Sequence, residues 1–325
     1  MSRRGWVLFT LMSVIWGIPY LLIKIAVEGA SPPLVVFART AVGAAILLPL
    51  ALRGGGLRAL RGRWGWLLLF AVVEMMVPWV LLTDAERHLS SSLAGLLVAA
   101  VPIIAVIAGR IAGDREPLGA RRWIGLLVGL GGVALLAGPN LSADGVLPIL
   151  EMFLVAVGYA AGPLITARKL GDVPSLPMTA ACLSVAALAY TPAAILTWPD
   201  ETPSVRVVAA LAALGVICTA LAFVLFFELI REVGPARTTV ITYVNPAIAV
   251  AAGVIFLGEP LTLSIVVAFA LILAGSFLAT ARSRPAGESA PAPAAAGGRG
   301  TAKDAPAKDG TADGAPGRTA GHGDA

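Results

Sequence analysis

Charged residues are scarce in this chain. Asp, Glu, Lys and Arg make up 13% of its 325 residues, whereas 58% of the residues are hydrophobic. An ordinary soluble domain has roughly a quarter of its residues charged. The composition therefore excludes a soluble globular domain and indicates a protein of the lipid bilayer.

Cysteine and histidine are almost absent, with two residues of each. Cys182 and Cys218 lie inside apolar runs, without the spacing of a metal site or a redox pair. The chain also lacks a phosphate-binding glycine loop, an Asp-Asp metal pair and a Ser-His-Asp arrangement. We therefore expect no cofactor, no metal and no use of ATP, and we predict that the protein is not an enzyme.

Long apolar runs fill most of the chain. They are roughly 18 to 25 residues long, which as a helix is enough to cross a hydrocarbon core about 30 Å thick. The ten-residue alternation of a transmembrane barrel is absent. The first run is too long for a removed signal peptide, so we expect it to remain. The predicted spans are 5–23, 33–52, 64–83, 91–111, 121–138, 146–168, 177–197, 207–230, 236–257 and 262–281.

The basic residues are distributed by loop. One set of loops is rich in Arg, as in the segment RGGGLRALRGRW, whereas the alternate loops hold only Lys24, Arg87 and Arg206. Since Lys and Arg concentrate in cytoplasmic loops, we predict that both termini lie in the cytoplasm, which requires an even number of spans. The net charge of +5 thus indicates topology and not a nucleic-acid partner.

The chain repeats itself at an offset of 143 or 144 residues. The recurring pairs are Pro19 and Pro163, Pro33 and Pro177, Pro49 and Pro192, Pro102 and Pro246, Pro117 and Pro260, and Gly132 and Gly275. Each unit holds five spans, and an odd number of crossings turns the second unit upside down. We predict an all-α membrane protein with ten transmembrane helices in two inverted five-helix repeats, at 5–138 and 146–281, followed by a disordered cytoplasmic tail at 283–325. Inverted repeats are typical of secondary transporters.

The second repeat carries a specific motif set, VGPARTTVITYVNPAIAVAAGVIFLGEPLT at 233–262. With these residues the chain resembles the EamA-like members of the drug/metabolite transporter superfamily. The first half is similar through Trp16-Gly17, Arg39, Pro102 and Glu116-Pro117. The resemblance implies ten helices in two inverted repeats and a central cavity lined by the first, third and fourth helices of each. It also implies the export of small metabolites, such as amino acids or drug-like compounds, more often than import.

Glu74 is the strongest candidate for a functional residue, because it lies near the middle of the third span. An ionised carboxylate at the bilayer centre costs at least a few kcal/mol, so Glu74 must face a wet cavity, pair with a cation or stay protonated. We hypothesise that it alternately binds a proton and the cargo. The alternative is a protonated Glu that donates to a helix carbonyl. Glu74 also departs from the family pattern, in which many relatives carry a neutral polar residue.

Four aromatic residues are further substrate-binding candidates, since a polar tip on an apolar ring suits the wall of a cavity for an organic cargo. Their alternative role is packing between helices. They are Trp16, Tyr20, Tyr159 and Tyr243.

The Asn-Pro pair in the ninth span is also a candidate. The amide of Asn245 needs a partner inside the membrane, either the substrate or the carbonyl that Pro246 leaves free. Pro246 and its counterpart Pro102 are predicted hinges for alternating access, with static kinks as the alternative. We assign structural roles to Arg39, which can bond carbonyls at a helix end, and to Lys24 at the interface.

Two further patterns predict structure. Gly125, Gly129 and Gly132 share one face of the fifth span, which favours close contact with another helix. Glu116 and Glu259 are expected to cap or anchor the helix that follows each of them. Together these patterns predict a multi-pass inner-membrane secondary transporter that exports a small organic metabolite. An importer, or a membrane-embedded enzyme or sensor, remains the alternative.

Overall fold

The computed structural model describes residues 1–53, 56–113, 119–140, 145–238 and 240–280. Within these residues all regular structure is helical, and nine helical spans have the length and composition to cross a membrane. A tenth apolar helix, Ile241–Leu257, is shorter. The predicted tail at 283–325, together with Arg115, Glu116 and Pro117, lies outside the described residues.

The spans are labelled in chain order. They are α1 (Arg3–Ala26), α2 (Pro32–Arg53), α3 (Trp64–His88), α4 (Ser91–Ile111), α5 (Ala120–Ala137), α6 (Val146–Lys169), α7 (Ser175–Leu196), α8 (Val205–Val233), α9 (Ile241–Leu257) and α10 (Leu263–Thr280). Short helices cover Gly56–Leu60, Gly138–Asn140 and Pro235–Thr238. Helices are expected here because lipid offers no partner for backbone N–H and C=O groups.

Proline interrupts some of these spans and not others. In α1 the helix ends at Gly17 and begins again at Pro19. In α4 the helix breaks between Val98 and Val101, directly before Pro102. The equivalent prolines of the second repeat, Pro163 in α6 and Pro246 in α9, lie inside uninterrupted helices. The two repeats therefore share their prolines but differ in where the backbone breaks.

Each repeat also carries one π-helical turn. In α3 it covers Ala71–Met76, and in α8 it covers Val216–Leu221, 145 residues later. π-Helix accounts for well under 1% of residues in soluble proteins and is frequently found at functional sites. The internal repeat thus extends from the sequence to an uncommon feature of the backbone.

The packing of the helices follows the same symmetry. Helix α2 packs on α7, α4 on α9 and α5 on α10. Two further sets of contacts are exchanged between the repeats: α1 packs on α8 and α9, and α6 packs on their equivalents, α3 and α4. Such reciprocal contacts are those of a twofold interface. These exchanged contacts join α1, α3, α4, α6, α8 and α9 along a surface between the repeats, which we call the seam.

The contact of α5 with α10 depends on glycine. A Cβ on Gly125 would lie 2.5 Å from the backbone nitrogen of Ala279, and one on Gly132 would lie 2.9 Å from the carbonyl oxygen of Ala268. A Cβ on Gly275 would collide with the backbone of Gly129. The predicted close approach on the glycine face of α5 is therefore confirmed.

Large apolar side chains cover the outer surface. Leu127 and Phe277, for example, are 67% and 62% exposed. Exposed tryptophans lie near the ends of helices, among them Trp6, Trp123 and Trp198. A soluble monomer rarely exposes so much apolar surface, whereas lipid-facing helices do, with tryptophan at both interfaces. The surface agrees with a protein embedded in a bilayer.

Candidate functional site

The two π-turns each hold a polar residue at the same place. Glu74 is the fourth residue of the turn in α3, and Thr219 is the fourth residue of the turn in α8. The hydroxyl of Thr219 is fully buried and donates to the carbonyl oxygen of Leu214 at 2.8 Å, five residues back along the chain. Thr219 therefore satisfies a backbone carbonyl at the π-turn.

Arg39 contacts the same threonine from α2. Its Nε donates to the Thr219 hydroxyl at 3.3 Å, and its Cζ lies 3.7 Å from the centroid of the Trp79 ring. Only 6% of the Arg39 surface is exposed. When a guanidinium stacks on an aromatic face, the N–H donors in its plane remain available for hydrogen bonds. The guanidinium links α2 and α3 of the first repeat to α8 of the second.

Two tyrosines are among the electrostatic neighbours of Arg39, which also include Cys218 and Glu86. Tyr20 of α1 and Tyr159 of α6 both interact electrostatically with the guanidinium, and Tyr159 lies beside Trp79. We call Tyr20, Arg39, Trp79, Tyr159 and Thr219 the Arg39 cluster. Its members come from α1, α2, α3, α6 and α8, so both repeats contribute to it.

Glu74 lies next to this cluster, since it interacts electrostatically with Tyr159. Its Oε2 is buried and has no hydrogen-bond partner among the described residues. The carboxylate lies against Gly162 of α6, where any Cβ would collide with it. Because Oε2 has no partner, the predicted alternative for Glu74, a hydrogen bond to a helix carbonyl, is not seen at this oxygen.

Arg39 has no counterpart in the second repeat, where Leu183, fully buried, occupies the equivalent position.

Glu86 is a buried carboxylate for which the sequence analysis predicted no role. It is fully buried, and neither carboxylate oxygen has a hydrogen-bond partner among the described residues. Its electrostatic neighbours are Lys24, Glu259 and Arg39. Spacing was the indication in the sequence. Asp84 and Arg87 are three residues apart and share one face of α3, where they pair at 3.0 Å, whereas Glu86 lies on another face.

Lys24 holds the end of α3 beside Glu86. Its Nζ donates to the backbone carbonyls of Glu86 at 2.6 Å and Leu89 at 2.7 Å. The last carbonyls of a helix have no partner in their own helix, and a cation there is favourable. The structural role predicted for Lys24 is thus a cap on a neighbouring helix.

A third buried carboxylate, Glu151, lies on α6. It is 7% exposed, its Oε2 has no hydrogen-bond partner among the described residues, and it lies beside Asp84 of α3. The contacting helices α3 and α6 therefore carry Glu74, Glu86 and Glu151, each with at least one buried and unpaired carboxylate oxygen. Buried polar atoms without partners are rare and often mark functional sites.

Glu259 has the opposite environment. Its carboxylate accepts from the backbone N–H of Ser91 at 2.7 Å, from the N–H of Ser92 at 2.9 Å and from the Ser92 hydroxyl at 2.5 Å. Glu259 therefore caps the start of α4 in the other repeat. The prediction that it caps α10, the helix that follows it, is wrong. The correction has a physical reason: Gly253 in α9 has no side chain, which leaves the start of α4 within reach of Glu259.

The other three predicted residues are engaged on α1, α8, α9 and α10. The Trp16 ring packs on Phe226 and Phe223, with centroids 4.6 and 6.1 Å apart. With its amide oriented so that the nitrogen faces acceptors, Asn245 donates to the carbonyls of Ser13 at 3.2 Å and Ile241 at 2.9 Å. The Tyr243 hydroxyl lies 3.0 Å from that of Thr280. The structure thus brings Tyr20, Tyr159 and Glu74 close to one another. The contacts just described for Trp16, Tyr243 and Asn245 lie elsewhere.

The fold and this site were compared with known proteins. The model of the EamA-like transporter family matches residues 3–138 and 146–281, one match for each half of the chain. This chain belongs to the EamA-like transporter family. The double match agrees with two repeats of one helical unit, and membership identifies a multi-pass membrane transporter for a small molecule.

Individual relatives agree with the family assignment. The chain is 31% identical over 259 residues to the uncharacterized inner membrane transporter YedA of Escherichia coli (strain K12), covering 77% of this chain and 81% of YedA. It is 26% identical over 292 residues to the uncharacterized transporter YvbV of Bacillus subtilis (strain 168), covering 87% and 93%. A solved crystal structure that is 23% identical superposes with a TM-score of 0.63, over 86% of this chain and 98% of that one. That likeness shows a shared fold.

Proposed function

We propose that this EamA-like protein is a secondary transporter that exports a small organic metabolite, such as an amino acid or a drug-like compound, by alternating access. The observation that carries the proposal is the Glu74 carboxylate, which lies against Gly162 of the other repeat with a buried and unpaired oxygen. An ionisable group inside a membrane is expensive, and it is retained where it serves transport.

The proposed mechanism needs inverted repeats. The first repeat has five spans, and because five is odd, the second repeat enters the membrane from the opposite side. The exchanged packing of α1 on α8 and of α6 on α3 supports this arrangement. The basic loops support the proposed location of both termini in the cytoplasm. In transporters built this way, the substrate site lies near the bilayer midplane at the repeat interface.

The proposed cargo path follows the seam. Aromatic rings with polar tips give it an apolar wall with hydrogen-bonding groups. Of the proposed wall residues, Tyr20 and Tyr159 lie in the Arg39 cluster, and the others lie on α1 and α9. The residues proposed to contact cargo along the path are Glu74, Trp16, Tyr20, Tyr159, Tyr243 and Asn245.

The two ends of the seam differ, which supports loading from the cytoplasm. At the end where α4 begins, Glu259 joins the second repeat to α4, and Lys24 joins α1 to the end of α3. At the other end a cavity of about 420 Å³ lies between α3, α4 and α6, lined in part by Trp66, Ala108 and Lys169. Basic residues mark this end as cytoplasmic.

Pro102 and Pro246 are proposed to permit the movement between the two states. A proline removes one helix hydrogen bond, which lowers the cost of bending at that point. Pro102 follows the break in α4, whereas Pro246 lies inside α9. The proposed hinges therefore begin from different local structures.

Glu74 is proposed to couple this movement to protons. A carboxylate that alternately holds a proton and the cargo makes export depend on pH, because each release requires the other ligand to bind. Glu74→Gln keeps the size and removes the charge. We expect it to abolish the pH dependence of efflux and to lower its rate about tenfold, equivalent to a loss of ~1.4 kcal/mol. Efflux of a labelled metabolite pool from overexpressing cells measures both.

The matched control is Asp172→Asn, because Asp172 is an exposed carboxylate paired with Arg63. Efflux and its pH dependence should stay at the wild-type level in this variant. If Glu74→Gln matched the control in both respects, the coupling role of Glu74 would be wrong. Uptake in place of efflux would favour an importer, and chemical conversion of the solute would favour a membrane-embedded enzyme.

A further inference from the structure

Arg39 is a buried cation that no anion contacts. The side chain is 94% buried, and it forms no ion pair within the described part of the chain. A buried ion costs several kcal/mol unless partners compensate it. Stacking on Trp79 and one hydrogen bond to Thr219 compensate only part of that cost.

The hydrogen-bonding capacity of Arg39 is mostly unused. A guanidinium has five N–H donors in a planar fork, and one of them, on Nε, is bound to Thr219 among the described residues. Trp79 covers one face of the plane, so a further ligand approaches at the edge, where the terminal nitrogens lie. Two parallel N–H donors at that edge match the two oxygens of a carboxylate.

The groups around Arg39 fit the same ligand. Tyr20 and Tyr159 have hydroxyls that can donate to a carboxylate oxygen, and both interact with the guanidinium. Glu86 also interacts with Arg39, but it forms no ion pair with Arg39 in the described structure. Glu86 thus leaves the contact position at the guanidinium open to another anion.

The position of Arg39 connects such a ligand with the transport movement. Arg39 is on α2 of the first repeat, and Thr219 is on α8 of the second. An anion bound at the guanidinium would therefore meet groups from both repeats, and its affinity would change as the repeats move. A ligand can shift a conformational equilibrium only through such a difference in affinity.

We propose that the Arg39 guanidinium binds a carboxylate group of the cargo, with Tyr20 and Tyr159 as additional donors. This inference rests on the proposed transport function and names the chemical class of its substrate. It also reassigns Arg39, for which the sequence analysis predicted a structural role.

The test uses benzoate and benzamide as probes, because the two molecules share a shape and differ in charge. With the full-length wild-type protein in nanodiscs, benzoate should raise the thermal unfolding midpoint and benzamide should leave it unchanged. In cells, benzoate should inhibit efflux at a concentration at least about tenfold lower than benzamide does, which corresponds to ~1.4 kcal/mol of binding. Equal responses to the two probes would overturn the proposal. This outcome does not depend on the folding of a variant, because the measurement uses the wild-type protein.

Two variants separate recognition from structure. Arg39→Lys keeps the charge but not the fork, and we expect it to lose most of the discrimination between benzoate and benzamide. Arg63→Gln removes an exposed cation paired with Asp172, and this variant should keep the discrimination between the two probes. Wild-type discrimination in Arg39→Lys would reject the bidentate contact. The outcomes also separate the two proposals: efflux without benzoate selectivity rejects only the Arg39 site, whereas absence of efflux for every solute rejects the transporter function.

Discussion

At the residue scale, the buried carboxylates fall into two kinds. Glu259 receives two backbone N–H groups and a hydroxyl at the start of a helix, so its charge is compensated by hydrogen bonds and by the helix dipole. Glu86 lies nearby, fully buried, and both of its oxygens are unpaired. The first arrangement stabilises the fold, whereas the second costs free energy.

The two kinds predict opposite effects of the same substitution. Glu259→Gln removes a charge-assisted cap, and we expect it to lower the free energy of unfolding by about 1–2 kcal/mol. Glu86→Gln replaces a buried carboxyl group whose oxygens have no hydrogen-bond partner among the described residues, so its stability should be equal to or above that of the wild type. Thermal unfolding of the purified protein in one detergent measures both variants side by side. A Glu86→Gln protein less stable than Glu259→Gln would show that Glu86 has a structural partner.

How far the sequence predicts these residues depends on depth and register. Glu74 could be predicted because a charge at the middle of an apolar run needs a reason wherever it points. Arg39 and Glu86 lie nearer to the ends of their spans, where a side chain can reach the interface. Their burial follows from α8 packing on α2 and from the loop after α9, and neither contact is visible in the local sequence.

At the element scale, the contact between α5 and α10 is the clearest consequence of sequence for packing. Gly129 lies under the side chain of Ile103 and close to Gly275, whereas Gly131, two residues away, has nothing within 4 Å of an added Cβ. Small residues permit helices to approach without the hydrophobic effect that drives association in water. The same helix therefore offers one glycine that packing requires and one that it does not.

This difference makes a paired prediction. Gly129→Leu should separate α5 from α10 and lower the free energy of unfolding by about 1–3 kcal/mol, the usual cost of overpacking. Gly131→Leu adds the same side chain on an open face and should be nearly neutral. Thermal unfolding midpoints in one detergent give the comparison. Equal changes in the two variants would show that the close packing at Gly129 does not determine the effect, since both substitutions change helix propensity alike.

The existence of the helices was predictable, but their interruptions were not. Pro19 begins a new helix in α1, whereas Pro163, at the equivalent position, lies inside α6. A proline leaves one carbonyl without its helix partner, and neighbouring helices decide whether the backbone breaks or continues. The π-turns also follow from neighbours, since the Thr219 hydroxyl that bonds Leu214 is itself bound by Arg39.

At the scale of the whole molecule, the Arg39 cluster lies where α2 adjoins the seam. The Arg39 cluster takes its members from five helices and both repeats, and Glu74 lies beside it with an unpaired oxygen. By contrast, the contact of α5 with α10 is made by glycine, alanine and aliphatic groups. A moving interface needs groups that can exchange partners, and a fixed interface does not. The distribution of polarity therefore supports the proposal that the seam is the surface that changes during transport.

The inverted orientation of the repeats gives the last prediction. Ala112, directly after α4, and Leu261, in the segment after α9, follow equivalent helices of the two repeats and are both exposed. If the second repeat is turned over, cysteines placed there lie on opposite sides of the membrane. In a Cys182→Ala, Cys218→Ala background, a membrane-impermeant maleimide should label Leu261→Cys in intact cells. It should label Ala112→Cys only after permeabilisation, because the basic loops predict that this end of the seam lies in the cytoplasm. Labelling of both positions from one side would mean that the repeats are parallel. The proposed alternating access, which needs inverted repeats, would then be ruled out.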